Sequence, residues 1–382
     1  VGLGNASNDG PSANAGPVPV LAFSLNRQHW QQEATLAEEE ISRFVRHGQQ
    51  LWIPGADARG SWRWGNLYRR SSGDGLWWQE RRLPRFIHAH DLAWHQGAMV
   101  VAGNVADAVT SGPALERHGS ALAVARDGGG RWSVQRLAGW RATALLPLAG
   151  ELFAVEALPG PGLRRWLQAG GRWQRFAAVH QLRPDGHWQA RRDITPQNFL
   201  PDVKGAGQRF AWIERATPAQ KQLAWLATVG PWRDDPARRL AFIAQRGESG
   251  RIEFQPIPLP SSVQAMDLVA DPAGWLLLSS ERLAPQRWRS QITAVQASGP
   301  LISQRPLVSF EAALPAWSLT GDGQTWWVGL GPAPFQPETT PGQCSAADQL
   351  SGSVVALSRT PAGDHRGRAG PFISYRALAT SR

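Results

Sequence analysis

Residues 87–92 read IHAHDL, and three further stretches repeat the same frame: 140–145 (WRATAL), 263–268 (VQAMDL) and 314–319 (LPAWSL). Each carries alanine third and leucine sixth. A short polar turn and a second apolar run follow each one, as HQGAMVVAG, LAGELFAVE, DPAGWLLLS and GDGQTWWVG. Apolar runs of strand length separated by turn residues read as β-hairpins. The alanine column, Ala89, Ala142, Ala265 and Ala316, marks a place on each first strand where a larger side chain would collide with its surroundings.

A second kind of hairpin, with glycines at matching turn positions, follows each of the first kind: GNLYRRSSGDGLWWQERRL, GSALAVARDGGGRWSVQRL, GLRRWLQAGGRWQRFAA, RLAFIAQRGESGRIEFQPIPL and SQITAVQASGPLISQRPL. PVLAFSLNRQHWQQEATL near the N-terminus and GSVVALSRTPAGDHRGRAGPFISYRAL near the C-terminus extend the set. The unit is therefore four strands, a-b-c-d, recurring about every 50 residues. That pattern predicts an all-β fold, a single closed β-propeller of six or seven four-stranded blades over residues 18–382. A less regular first hairpin lies in residues 41–53 and another is expected within 206–229. Residues 179–201 fit no template and read as an insertion or part of a seventh blade. Residues 18–36 are expected to pair with C-terminal strands, because an open ring would leave strand edges exposed.

Composition narrows the class further. With 42% hydrophobic and 18% charged residues, the chain has ample material for a core and is not of the disordered type. No apolar run approaches the length of a membrane-spanning helix. Residues 1–17 are rich in Gly, Asn, Ser, Ala and Pro and read as a flexible leader. The start at Val1 suits removal of a signal peptide, so export to a periplasmic or extracellular space is expected. Cys344 is the lone cysteine and indicates no redox compartment. The net charge of +10 comes almost wholly from arginine, the only lysines being Lys204 and Lys221. The arginines are scattered, without the basic run or motif of a nucleic-acid-binding chain.

The repeats resemble the broad propeller group that includes Kelch-like, YVTN-like and sialidase-like proteins. ARDGGGRW at residues 125–132 is similar to the Asp-box turn of sialidase-like propellers, with Ala125 where that motif has Ser or Thr. TGDGQTW at 320–326 is one residue too short. Asp-boxes are structural turns, so the resemblance implies a fold and no hydrolytic group. The Trp-Asp dipeptide pattern of WD40 repeats is absent.

By analogy with that fold, the b→c and d→a connections emerge on one face, where propellers take their ligands. Three long b→c connections are expected, at residues 54–65, 103–119 and 331–352, and connections of that length are commonly functional. The second column of the inner strand carries His88, Arg141, Gln264 and Pro315, three of the four polar and suited to a channel mouth. Trp62 and Trp64, with Asp57, lie in the first long connection, outside strand periodicity. Trp77, Trp78, Trp132, Trp173, Trp275, Trp326 and Trp327 read as core between blades. The six residues Asp57, Trp62, Trp64, His88, Arg141 and Gln264 form the expected ligand site, for a protein partner or an acidic glycan.

Other chemistry finds less support. His88 and His90 alternate on one strand, but two ligands do not make a metal site, and no metal or cofactor is assigned. Asp91 and Asp267 share one repeat position and read as buried acceptors for backbone N–H groups. Asp57, Asp91, Asp202, Asp267 and Glu156 are available for glycoside chemistry, which needs two carboxylates at a set separation, and no pairing is favoured. No Gly-x-Ser-x-Gly elbow occurs. A non-catalytic recognition module is therefore expected, with a carbohydrate-active hydrolase or lyase as the alternative.

Overall fold

The four-strand repeat appears as six antiparallel sheets with a separate N-terminal hairpin. This computed structural model describes residues 18–24, 29–36, 41, 43–55, 64–70, 76–84, 86–105, 119–126, 131–137, 142–157, 178–194, 199, 210–219, 221–230, 238–247, 252–321, 325–331 and 353–358. The hairpin is β1 (Val18–Ser24) with β2 (His29–Leu36). Blade 1 is β3 (Val45–His47), β4 (Gln50–Pro54), β5 (Trp64–Arg70) and β6 (Trp77–Pro84). Blade 2 is β7 (Phe86–His95), β8 (Ala98–Val105), β9 (Gly119–Ala125) and β10 (Trp132–Arg136). Blade 3 is β11 (Ala142–Leu148), β12 (Glu151–Glu156), β13 (Val179–Leu182) and β14 (Trp188–Arg191).

Blade 4 is β15 (Phe210–Ala219), β16 (Gln222–Gly230), β17 (Arg238–Arg246) and β18 (Ile252–Pro256). Blade 5 is β19 (Val263–Asp271), β20 (Gly274–Ala284), β21 (Arg287–Ser298) and β22 (Leu301–Ala312). Blade 6 shows three strands, β23 (Ala316–Gly321), β24 (Thr325–Leu330) and β25 (Val354–Ser358). Within every sheet the neighbours are consecutive in sequence, so the chain carries a six-blade β-propeller repeat. No helix among the described residues is long and apolar enough to cross a membrane.

Two sequence expectations change. In the stretch 179–201, expected as an insertion or part of a seventh blade, residues 179–191 supply β13 and β14, the outer hairpin of blade 3, joined by a turn over Pro184, Asp185 and Gly186, while 195–198, 200 and 201 lie outside the described residues. Proline, aspartate and glycine in that order are a strong turn signal. The segment GLRRWLQAGGRWQRFAA, expected to be that hairpin, precedes β13 in the chain, and all of it but its last residue, Ala178, lies outside the described residues. Trp64 is the first residue of β5, facing Pro84 across the ladder, because its extended run continues directly into GNLYRR. The hairpin expected in residues 206–229 is present as β15 and β16.

The chain divides into two compact units. The first holds the N-terminal hairpin and blades 1 to 3, and the second holds most of blade 4 with blades 5 and 6, the division falling within β15. In the first unit one apolar layer joins blade 1 (Trp52, Leu67, Leu83) to blade 2 (Met99, Val101, Ala123), and another joins blade 2 (Val100, Leu122, Val124) to blade 3 (Leu145, Leu152, Trp188). In the second unit Trp275 of blade 5 packs against Ala224, Leu226 and Ile243 of blade 4, while Trp326 and Val328 of blade 6 pack against Leu278 and Ile292. Alternate residues of each strand thus serve opposite interfaces, as the two-residue period of a strand requires. Trp77 and Trp132 are half-buried and pack on core clusters. Trp173 lies outside the described residues, as does all but the first strand of the expected C-terminal hairpin.

Ala89, Ala142, Ala265 and Ala316 sit on the first strands of blades 2, 3, 5 and 6 and are all fully buried. A register shift follows each of the four at once. The shift is a β-bulge, which bends the strand and raises its twist. Ala211, near the start of β15, is fully buried as well. Opposite Ala89 stands Gly103, where any Cβ would collide with the His88 carbonyl and lie 2.8 Å from the Phe86 ring.

Candidate functional site

Each blade is asymmetric end to end. In an antiparallel meander the a→b and c→d turns share one end of the sheet, and the b→c connection leaves from the other. The a→b turns of blades 1 to 5 hold two residues each, such as Gln96 with Gly97 and Ala149 with Gly150. Both residues of those two turns have positive φ, the geometry that matches strand twist. The b→c connections are far longer, spanning residues 55–63, 106–118, 157–178 and 331–353 in blades 1, 2, 3 and 6. Blade 5 is the exception, with a two-residue b→c turn at Pro285 and Gln286.

Hydrogen bonds set the connection ends of blades 1, 2 and 3 side by side. Gly55 O, where the first long connection departs, accepts Ala89 N at 2.9 Å. Ser120 Oγ, where the second connection returns, accepts Ala142 N at 2.8 Å. In blades 5 and 6 the same alanine amide is held by serines, Ala316 N donating to Ser280 Oγ and Ser290 Oγ at 3.3 Å each. The buried amides at the start of strand a are thus satisfied by the preceding blade, as burial of a peptide N–H demands.

The recurrent aspartates act as expected for buried acceptors. Asp91 Oδ1 accepts Leu92 N and Oδ2 accepts Leu145 N of blade 3, each at 2.8 Å. Asp267 Oδ1 accepts Leu268 N at 2.7 Å and Oδ2 accepts Leu319 N of blade 6 at 2.8 Å. Arg43, just before blade 1, brings Nη1 to 2.6 Å from Asp91 Oδ1 and donates through Nη2 to Ala216 O at 3.2 Å. Burial pushes the Asp91 carboxyl above its ordinary value, while the Arg43 charge and the two amides oppose that rise. These two carboxylates hold blades to each other and are engaged on both oxygens.

His88 is half-buried on β7, beside Ala89 and opposite Asn104, and its ring lies parallel to that of His90 with centroids 5.5 Å apart. It therefore stands next to the Gly55 carbonyl from which the connection carrying Asp57 and Trp62 departs. Asp57, Trp62 and Arg141 lie outside the described residues, and for Trp64 only the backbone is described. Gln264 belongs to the second unit, where its Oε1 accepts Arg239 N at 2.9 Å. Arg239 is itself buried, with its guanidinium 4.6 Å from the centre of the Trp317 ring. Gln264 thus has a structural bond of the same kind as Ser120. Among the described residues no group of three or more His, Cys, Asp and Glu is placed to hold a metal ion.

Sequence reasoning passed over a polar group at the connection end of blades 2 and 3. Asn104, Ser120, Glu156 and His180 are all buried. They continue the alternation of residues that form the apolar layer between those blades, Val100 and Ala102, Leu122 and Val124, Leu152 and Ala154, and Leu182. Glu156 Oε2 accepts Ala178 N at 2.7 Å, and Glu156 N donates to Ala178 O at 3.0 Å, so this residue closes the base of the third long connection. Glu156 Oε1 lies 3.4 Å from His180 Nε2. The signal available in sequence was a polar residue at an inward position of an otherwise apolar alternation.

No family model matches the chain, and no curated protein matches it. Among solved structures it is similar to the β-propeller domain of the Trilobed protease from Pyrococcus furiosus, described as having an open velcro topology. That likeness has a TM-score of 0.42 at 11% identity and covers 79% of this chain and 76% of that one.

Proposed function

We propose that this chain is a non-catalytic recognition module that takes a protein partner or an acidic glycan at the connection end of blades 1 to 3. The observation that carries this reading is the unequal length of the two blade ends: two-residue a→b turns at one, the connections 55–63, 106–118 and 157–178 at the other. Long connections on a rigid sheet frame are where binding residues concentrate. The Gly55 to Ala89 and Ser120 to Ala142 bonds support a shared surface, because they tie these ends together. Trp62 supplies a flat face for a sugar ring or apolar side chain, and Arg141, directly before Ala142, supplies a bidentate donor for carboxylate or phosphate. His88, half-buried beside the departure of the first connection, adds an imidazole that can donate or accept a hydrogen bond. Closure of the six blades into one ring, and export of the chain, belong to the same proposal.

The test is a binding screen of anionic glycans and acidic peptides against the parent chain, a Trp62→Ala, Arg141→Ala double variant, and a chain with residues 106–118 replaced by a Gly/Ser linker of equal length. Loss of binding in both variants, with unchanged melting, is the expected result. Equal binding by all three proteins places the site elsewhere.

A further inference from the structure

The layer between blades 2 and 3 is built differently from its counterpart between blades 5 and 6. In the latter the buried polar side chains satisfy one another, the Ser280 and Ser290 hydroxyls lying 2.8 Å apart and both accepting Ala316 N. Between blades 2 and 3 the Asn104 amide oxygen, both ring nitrogens of His180 and the Trp188 indole nitrogen are buried without a hydrogen-bond partner. His180 Nε2 stands 3.4 Å from Glu156 Oε1, a contact without hydrogen-bond geometry. Among the described residues no such atom lies in blades 4 to 6. A polar atom buried in this way forfeits the hydrogen bonds that water gave it in the unfolded chain, so it favours any state that lets water return.

The apolar part of the same layer gives less to hold it shut. Four of its buried residues are alanines, Ala98, Ala102, Ala142 and Ala154, and Trp188 is its one aromatic side chain. The layer between blades 5 and 6 carries Met266, Phe310 and Trp326 with a single buried alanine, Ala316. Smaller side chains bury less apolar area, so less is lost when the two sheets separate. The outer strands are better tied: Arg126 Nη2 donates to Pro184 O at 2.7 Å, Gln135 Nε2 donates to Trp188 O at 2.8 Å, and Trp188 N donates to Gln135 Oε1 at 3.0 Å. We propose that the seam between blades 2 and 3 is a conformational device, which parts at its connection end without unfolding either blade and rewets Asn104 and His180 while the outer ties hold. The connection 106–118 belongs to blade 2 and the connection 157–178 to blade 3, so the device sets the spacing between these two stretches. It stands whether or not they bind a ligand.

The experiment is native-state hydrogen exchange of the full chain, read amide by amide by NMR and corrected for intrinsic rates. The repeat supplies matched amides that bridge blades: Ala142 N on Ser120 Oγ against Ala316 N on Ser280 and Ser290, and Leu145 N on Asp91 against Leu319 N on Asp267. Ala142 and Leu145 should exchange about tenfold faster, or more, than Ala316 and Leu319. They should also exchange faster than Val101, whose place in the central ladder of blade 2 reports unfolding of the blade itself. Asn104→Leu, which keeps the branched shape, and His180→Leu each remove buried polar atoms and should slow Ala142 and Leu145 by about tenfold while leaving Ala316 and Leu319 unchanged. Equal or slower exchange of Ala142 and Leu145 in the parent chain, as water trapped in a closed seam would give, overturns the proposal. So does exchange of Val101 as fast as that of Ala142, or unchanged exchange in a folded Asn104→Leu or His180→Leu chain. If neither variant folds, the parent comparison decides alone.

Discussion

Asp91 and Asp267 are counterparts in blades 2 and 5: each carboxylate accepts the amide of the leucine that follows it and the amide of a leucine in the next blade. The inner strand bulges just before each aspartate. One side chain therefore holds its own strand beside the bulge and joins two sheets.

Replacing Asp267 by alanine should cost about 2–5 kcal/mol, because it strands the buried amides of Leu268 and Leu319 at once. Denaturant unfolding monitored by tryptophan fluorescence measures this. A change below about 0.5 kcal/mol would show that water replaces the carboxylate without loss.

The pH dependence carried by Asp91 has a definite sign. Its folded-state value is raised by burial, so the folded protein holds the proton more tightly than the unfolded chain does. The stabilisation that arises from this is fully present below the ordinary aspartate value and is lost as pH rises through the folded value. Comparing parent and Asp91→Asn by denaturant unfolding from acid to neutral pH, the stability difference, parent minus variant, should fall with rising pH and then level off. A difference that grows with pH would reverse the assignment.

Ala149 occupies the left-handed region with φ 51° in an exposed two-residue turn. Alanine pays about 1 kcal/mol there that glycine and asparagine largely avoid. Ala149→Asn should raise stability by about 0.5–1 kcal/mol in equilibrium unfolding. A neutral or lower value would mean that the turn changes type on substitution.

Ala265 is fully buried on β19 at the bulge. Ala265→Phe should destabilise by about 1–3 kcal/mol or more through overpacking, while Ala297→Phe at a half-exposed site on the same blade should cost much less. An unchanged melting curve for Ala265→Phe would show room beside the first strand that the repeated alanine does not suggest.

The architecture was legible because its cause is periodic. Ala89, Ala142, Ala265 and Ala316 recur for one steric reason, so four matching frames located four first strands. Blade 4 escaped that frame because three residues after Ala211 stands Glu214 where the others have their leucine, and the hairpin could be placed only by its apolar runs. Blade 3's outer hairpin was expected too early in the chain because its strands, β13 and β14, hold only four residues each, so the turn at Pro184, Asp185 and Gly186 lacked the long flanking apolar runs that marked the other hairpins. Site chemistry was less legible. His180 and Glu156 meet through strand pairing between residues distant in sequence, and only the ladder between β12 and β13 brings them within reach.

The unequal blade ends bear on how such a chain changes over generations. The short turns and the buried aspartates leave little freedom, since a one-residue change there shifts register or strands an amide. The connections 55–63, 106–118 and 157–178 begin and end on strands whose pairing is already secured, so length and sequence there are uncoupled from folding. Relatives built on this frame should differ most in those three stretches while keeping the aspartates and the alanine column, giving one inherited mount with exchangeable contact surfaces.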